Sequence, residues 1–185
     1  MNILSNLHDK ELSDFLDKTL NNYYDKVITE NLSINLNKDN IELINANYKE
    51  AVSISVDFLD EAINNKIKLR LSGKKDIFGK LFPIKNSTLL DCTAGYGRDS
   101  YVLRLMGFNV TMIENSPVMS LLLNDALKKL KLLNFTMYHG NSYDYLSHSK
   151  KYYDYIYIDF MFNKLKKNSL SSKNDETLKL ISFQE

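Results

Sequence analysis

The sequence predicts an α/β fold built on a parallel sheet, and three observations carry that prediction. From Ser87 onward, short apolar runs alternate with segments of helical periodicity. Three of those runs end in an acid: Asp91, Glu114 and Asp159. The glycines gather just past the first run, where Gly95, Gly97 and Gly107 stand close together, while residues 1 to 72 contain none. Strands alternating with helices imply parallel βαβ units with helices on both faces of the sheet.

Each element follows from its local pattern. Leu12, Phe15, Leu16, Leu20 and Tyr23 fall at helical spacing, which predicts an amphipathic helix from His8 to Asn31. Leu32 to Leu36 and Ile41 to Asn45 alternate apolar and polar residues around the turn material Lys38-Asp-Asn40, the pattern of a hairpin. Ala51 to Val56 alternates again and supplies a third strand. Residues 1–57 therefore read as a small N-terminal α+β element. Residues 58–86 form a basic connecting segment in which Lys66, Lys68, Arg70, Lys74, Lys75, Lys80 and Lys85 face the single acid Asp76 between 66 and 85. Such a run is either a solvated face or a phosphate-binding patch.

Residues 87–185 carry the strand–helix series. Ser87 to Asp91 is the first strand, followed by the turn Ala94-Gly-Tyr-Gly97 and a helix from Arg98. Asn109 to Ile113 is the second strand, with Glu114 at its tip. Pro117 suits the first turn of the next helix, where its missing N–H costs nothing. Phe135 to Tyr138 is the third strand, and Tyr153 to Ile158 the fourth, ending in Asp159.

Ligands of such sheets bind beyond the carboxyl ends of the strands. Asp91, Gly95, Gly97, Glu114, Asn141, Ser142 and Asp159 all fall there. An acid at the tip of the second strand, about twenty residues past the first glycines, is placed to accept hydrogen bonds from ribose hydroxyls. The third glycine of a dinucleotide fingerprint is absent, since position 100 is Ser100. A carboxylate at 91 would repel a pyrophosphate but suits a cation. S-Adenosylmethionine, with a sulfonium, an ammonium and a ribose, answers this better than a nicotinamide dinucleotide.

Composition narrows the classes further. The 24 basic and 23 acidic residues leave a net charge of +1, so no global field draws the chain to nucleic acid or membrane. One cysteine and three scattered histidines predict neither a disulfide framework nor a metal site. Cys92, on a strand end without a nearby histidine, reads as a small core residue. The N-terminus lacks a long apolar core, and no run approaches a membrane span, which predicts a cytoplasmic protein.

The segments Asp91-Cys-Thr-Ala-Gly-Tyr-Gly-Arg-Asp-Ser100, Glu114-Asn-Ser-Pro117, His139-Gly-Asn-Ser142 and Ile158-Asp-Phe-Met-Phe162 together resemble the ribosomal RNA small subunit methyltransferase J family. The resemblance spans roughly residues 31 to 182, and its bacterial members methylate the exocyclic N2 of a guanine in 16S rRNA. It implies a Rossmann-like class I S-adenosylmethionine-dependent methyltransferase sheet behind the small N-terminal element. The implied cofactor contacts are Asp91, Gly95, Gly97, Arg98, Asp99, Glu114, Asn115, Asn141, Ser142 and Asp159. Asp159 and Phe162 are the implied catalytic pair, one accepting from the target amine and the other stacking on the flipped base. Lys66, Lys68, Arg70, Lys74, Lys75 and Lys80 become the RNA-binding patch, and the partner is 16S rRNA or the small ribosomal subunit. Two departures stand out. Phe160 replaces a proline that stiffens the family's loop. The chain also ends at Glu185, before the strands that complete the family's sheet, which implies an exposed edge and self-association through it. A relative that binds S-adenosylmethionine or RNA without catalysis is the alternative those departures leave open.

Overall fold

The computed structural model describes residues 31–36, 40–61, 64–65, 68–69, 72, 77–84, 86–130, 135–159 and 172–182. The helix expected from His8 lies outside them, as do Lys66, Arg70, Lys74, Lys75, Phe160 and Phe162. The hairpin and third strand form as their alternation dictates. β1 (Leu32–Leu36), β2 (Ile41–Asn45) and β3 (Val52–Ile54) make an antiparallel sheet in that order, with Ile34 opposite Leu43 and Leu43 opposite Ile54. The period of two buries Ile41, Leu43 and Asn45 on one face of β2.

The second sheet is parallel throughout. β4 (Thr88–Asp91), β5 (Asn109–Glu114), β6 (Thr136–His139) and β7 (Tyr155–Tyr157) lie in the order β6-β5-β4-β7. β7 is shorter than the run from Tyr153 to Ile158 suggests, because ladder pairing with β4 covers only Leu89 to Asp91. Strand order reverses between β4 and β7, so β4 sits where a crevice opens beyond the sheet's carboxyl edge.

Helices cover both faces. α1 (Ile77–Leu81) buries Phe78, and Phe82 just after it meets Tyr155 and Tyr157 edge-on. α2 (Arg98–Leu105) and α3 (Pro117–Lys129) share the core with Leu89, Val110 and Met112. α4 (Ser142–His148) covers the other face, where Tyr145 closes over Leu90, Cys92 and Ile113. Cys92 is thus a buried core residue, as its sequence context predicts.

α3 explains why the small sheet is where it is. It is buried from Pro117 through Asn124 and again at Ala126, more than one apolar stripe, so it needs a second partner. That partner is β2: Ile41 and Leu43 join Leu121, Leu122 and Leu123 in one core, and the Ile41 N–H donates to Asp125 Oδ2 at 3.1 Å. α5 (Lys173–Ile181) packs on the same sheet through buried Leu178 and Ile181. Its Thr177 hydroxyl accepts from the buried Asn45 amide at 2.8 Å. Among the described residues no helix is long and apolar enough to cross a membrane.

The glycine turn meets this core at one point. Gly97 precedes α2 with φ of +67°, a left-handed backbone that disfavours any side chain. A Cβ there would also fall 2.5 Å from Leu123 Cδ1 and 3.3 Å from Phe58 Cζ, and both side chains are fully buried. Backbone strain of about 1–2 kcal/mol combines with overpacking of about 1–3 kcal/mol. Gly97→Ala is therefore expected to destabilise by at least about 2 kcal/mol, lowering Tm by roughly 4–8 °C for a domain of this size. A calorimetric scan showing an unchanged Tm would refute this packing of the turn on α3.

Candidate active site

The site is assembled by three strand ends and the turn between them. Asp91 ends β4 and is almost fully buried. Its Oδ1 accepts the Thr93 N–H at 3.0 Å, and its Oδ2 accepts the Ser100 hydroxyl at 2.7 Å from the first turns of α2. At the position that breaks the dinucleotide fingerprint, Ser100 straps the glycine turn to the strand beneath it. Burial, above all, pushes the Asp91 carboxyl up to about 6, although these two hydrogen bonds oppose it.

Glu114 ends β5 and bridges in the other direction. One oxygen accepts the Gly95 N–H at 2.7 Å, and the other accepts the Ser116 N–H at 2.8 Å. Burial raises its pKa too, with the backbone donors acting against the rise. A carboxylate has about four lone-pair sites, so the backbone donors of Gly95, Asn115 and Ser116 still leave capacity to accept from a ribose hydroxyl. The Gly95 N–H is therefore directed at the acid of the neighbouring strand, and Gly95 and Glu114 belong to one structure.

Asp159 follows β7. Its N–H donates to Thr93 Oγ1 at 2.8 Å, tying the loop after β7 to the loop after β4. The Tyr157 hydroxyl donates to Asp99 Oδ2 at 2.8 Å and lies 3.4 Å from Asp159 Oδ2. One phenol thus gathers two acids from different elements. Burial, followed by the Asp99 contact, pushes the Tyr157 phenol far up, so it remains a proton donor at any working pH. In the sequence Tyr157 reads only as part of the fourth strand, and Thr93 only as part of the segment around the glycine turn. No local signal marks either residue, because the placement of Tyr157 comes from its pairing with Asp91 of β4, two residues before Asp159.

The remaining sequence-derived residues take distinct places. Arg98 opens α2 exposed, with its guanidinium 5.0 Å from the Tyr96 ring centre, a cation–π contact at the turn. Asn115 is anchored through its carbonyl by His139 Nε2 at 3.2 Å, and burial holds that imidazole below its ordinary pKa, hence neutral near pH 7. Asn141 serves first as a helix cap: its Oδ1 accepts the N–H groups of Tyr143 and Asp144 at 2.8 and 3.2 Å. Ser142 is the first residue of α4. The structure thus brings Asp91, Gly95, Gly97, Asp99, Glu114 and Asp159 around one turn. Lys68 and Lys80, the described members of the basic segment, are exposed and lie on neither of these loops.

This donor set fits S-adenosylmethionine. Carboxylates without a phosphate cradle suit a sulfonium and an ammonium, and Glu114 suits a ribose diol. Among the described residues no group of three or more His, Cys, Asp or Glu is arranged to hold a metal ion.

Comparison with known proteins agrees with this geometry. A family model for SAM-dependent methyltransferases matches residues 21–182. The chain is similar to the ribosomal RNA small subunit methyltransferase J of Coxiella burnetii, 34% identical over 148 residues, covering 75% of this chain and 58% of that protein. The protein of the same name from Alteromonas mediterranea is 33% identical over 141 residues, covering 71% of this chain and 54% of the relative. The chain thus spans little more than half the length of these curated relatives. A crystal structure of a SAM-dependent methyltransferase from Neisseria gonorrhoeae superimposes with a TM-score of 0.55 at 20% identity, over 76% of this chain and 68% of that one. That last likeness establishes the fold.

The buried acids make stability depend on pH with a definite sign. In the folded state Asp91 holds its proton up to about pH 6, whereas unfolded it releases it near pH 4. The folded state binds more protons between those values, so the group's contribution falls as pH rises from 4 through 6 and stays low above. The decline is on the order of 3 kcal/mol. Urea unfolding of Asp91→Asn should lack most of that decline, so the variant gains on wild type between pH 5 and pH 7.5. Identical pH profiles for the two proteins would show that Asp91 is not buried as described.

Proposed function

The chain belongs to the SAM-dependent methyltransferase family, and on that premise we propose that it transfers the methyl group to the exocyclic N2 of a guanine in 16S rRNA. Support comes from the name shared by its curated relatives, ribosomal RNA small subunit methyltransferase J, and from the acid Asp159 standing at the sheet's carboxyl edge beside the glycine turn. The observation that carries the reading is the convergence of Asp99, Tyr157 and Asp159 at the tip of β7, across from the turn that Glu114 holds.

Bound S-adenosylmethionine supplies an electrophilic methyl group on a cationic sulfur. The chain's residues position it and prepare the acceptor. Glu114 accepts from the ribose hydroxyls, and Asn115 and Asn141 flank the base at the tips of β5 and β6. Arg98 offers a cation to the amino-acid carboxylate, and the acids around the turn favour the positive ammonium and sulfonium. Guanine N2 is a weak nucleophile because its lone pair is delocalised into the ring. Asp159, accepting an N2–H, would favour the pyramidal amine whose lone pair can attack; as the C–N bond formed, the methyl–sulfur bond would break to leave a neutral thioether, and the proton would leave toward that carboxylate. Phe162 is the aromatic proposed to stack on the extruded base. Most of the rate comes from holding the two reacting atoms in line. Lys66, Lys68, Arg70, Lys74, Lys75 and Lys80 are proposed to meet RNA phosphates, and the cytoplasm is the compartment where such a substrate occurs.

The test uses the full chain, radiolabelled donor and 30S subunits lacking the modification, with nucleoside analysis of the product. The expected product is N2-methylguanosine. Asp159→Ala is expected to lower transfer by at least about a hundredfold, the usual scale for removal of an acid–base group. Tyr157→Phe keeps the ring edge-on to Phe78 and Phe82 but removes the hydroxyl, and should reduce kcat about tenfold with donor affinity unchanged. Label in another nucleoside would overturn the N2 assignment. Donor binding without any transfer would leave a binding protein in place of an enzyme.

A further inference from the structure

At the opposite end of the parallel sheet from the site, the loop between α4 and β7 carries Lys150, Lys151 and Tyr152. Tyr152 is 96% exposed, the highest value among the exposed large hydrophobic residues described. An aromatic ring left in water beside two lysines contributes no burial energy to folding, and its π-face is open to a partner. Lysines after the C-terminus of α4 would suit that helix dipole, but the dipole gives no reason for the tyrosine.

The loop is held rather than slack. The Lys151 N–H donates to Ser149 Oγ at 3.1 Å, and its ammonium lies 3.4 Å from the Tyr138 hydroxyl and 5.8 Å from that ring's centre. Behind it, the hydroxyls of Tyr145 and Tyr153 meet at 2.6 Å. Lys151 lines two adjoining concavities. One, of about 740 Å³, runs along the open edge of β6 past His148 and Lys150. The other, of about 410 Å³, lies beneath the starts of β4, β5 and β6 and is lined by Tyr152. Two acids stand near the lysines: Asp144 lines the larger concavity with them, whereas the Asp154 carboxylate is engaged elsewhere, accepting both the N–H and the hydroxyl of Thr88, at 2.7 and 2.8 Å.

We propose that the α4–β7 loop is a second RNA contact, in which Tyr152 stacks on an unpaired base while Lys150 and Lys151 meet the flanking phosphates. Cations beside an exposed aromatic face are what a single strand requires, since every base offers a π-face and every linkage a negative charge. The inference rests on the reading of the chain as an RNA methyltransferase. It adds an anchor on the far side of the sheet, outside the basic segment and the loops around the glycine turn. A large folded RNA can reach such an anchor while presenting its target base at the site.

The test measures anisotropy of a fluorescein-labelled single-stranded oligoribonucleotide, and of naked 16S rRNA fragments, with the full chain at several salt concentrations. Replacing Lys150 and Lys151 together by Gln should lower the log–log salt slope by about 1.4, at ~0.7 for each phosphate no longer neutralised. Tyr152→Ala should weaken binding about tenfold, and Tyr152→Phe, which keeps the ring, should restore it. S-Adenosylmethionine binding and Tm should be unchanged in every variant, since these side chains are on the surface. Wild-type affinity and slope in all variants would overturn the proposal while leaving the methyltransferase reading intact. Weakened binding to intact 30S subunits but not to naked RNA would overturn it in favour of a ribosomal protein contact. A wild-type chain that binds RNA through this loop yet methylates no guanine would fail the N2 reading alone. A chain that binds no RNA would fail both.

Discussion

The hydrogen bond from the Gly95 N–H to Glu114 is the interaction on which the site depends. It joins the turn after β4 to the tip of β5, and it exists because a parallel sheet sets neighbouring strand ends side by side. Asp91 completes the bracing from below through Thr93 and Ser100. Two carboxylates held from water are expensive unless paired or hydrogen-bonded, and here each accepts at least two donors. The turn so braced stands among acids at the sheet's carboxyl edge, with Gly97 packed on Leu123 too closely for a side chain.

The rest of the architecture holds that bracket in place. α3 could not be buried on nearly every side by the parallel sheet alone, and the antiparallel sheet supplies the missing contact through Ile41 and Leu43. Leu123 of the same helix presses on Gly97. Packing between the two sheets and geometry at the turn are therefore linked through one helix.

Much of this is legible from residues in order. Alternation marks the hairpin, apolar runs ending in acids mark the strand tips, and Pro117 marks the start of α3. The turn chemistry separates a cationic ligand from a pyrophosphate without reference to the fold. What escapes are relations across the sheet. That Tyr157 gathers Asp99 and Asp159 depends on β7 lying beside β4, a pairing that local pattern does not encode. Thr93 and His139 act through loops that meet only in three dimensions. Asn141, chosen as a ligand contact, proves to cap α4 as well, since an Asn before a helix satisfies orphan N–H groups whatever else it does. The exposure of Tyr152 is likewise invisible in sequence, because local pattern does not show which rings the rest of the fold leaves uncovered.

The proposed function gives the carboxylate at the tip of β5 the task of holding S-adenosylmethionine. Isothermal titration of S-adenosylmethionine into wild type and Glu114→Ala tests that role most directly, with Tm confirming that both are folded. Removal of a charge-assisted hydrogen bond of about 1.5–3 kcal/mol should weaken binding by roughly ten- to a hundredfold. Equal affinity in the two folded proteins would contradict it, since the ligand would then bind without the acid on which the turn is built.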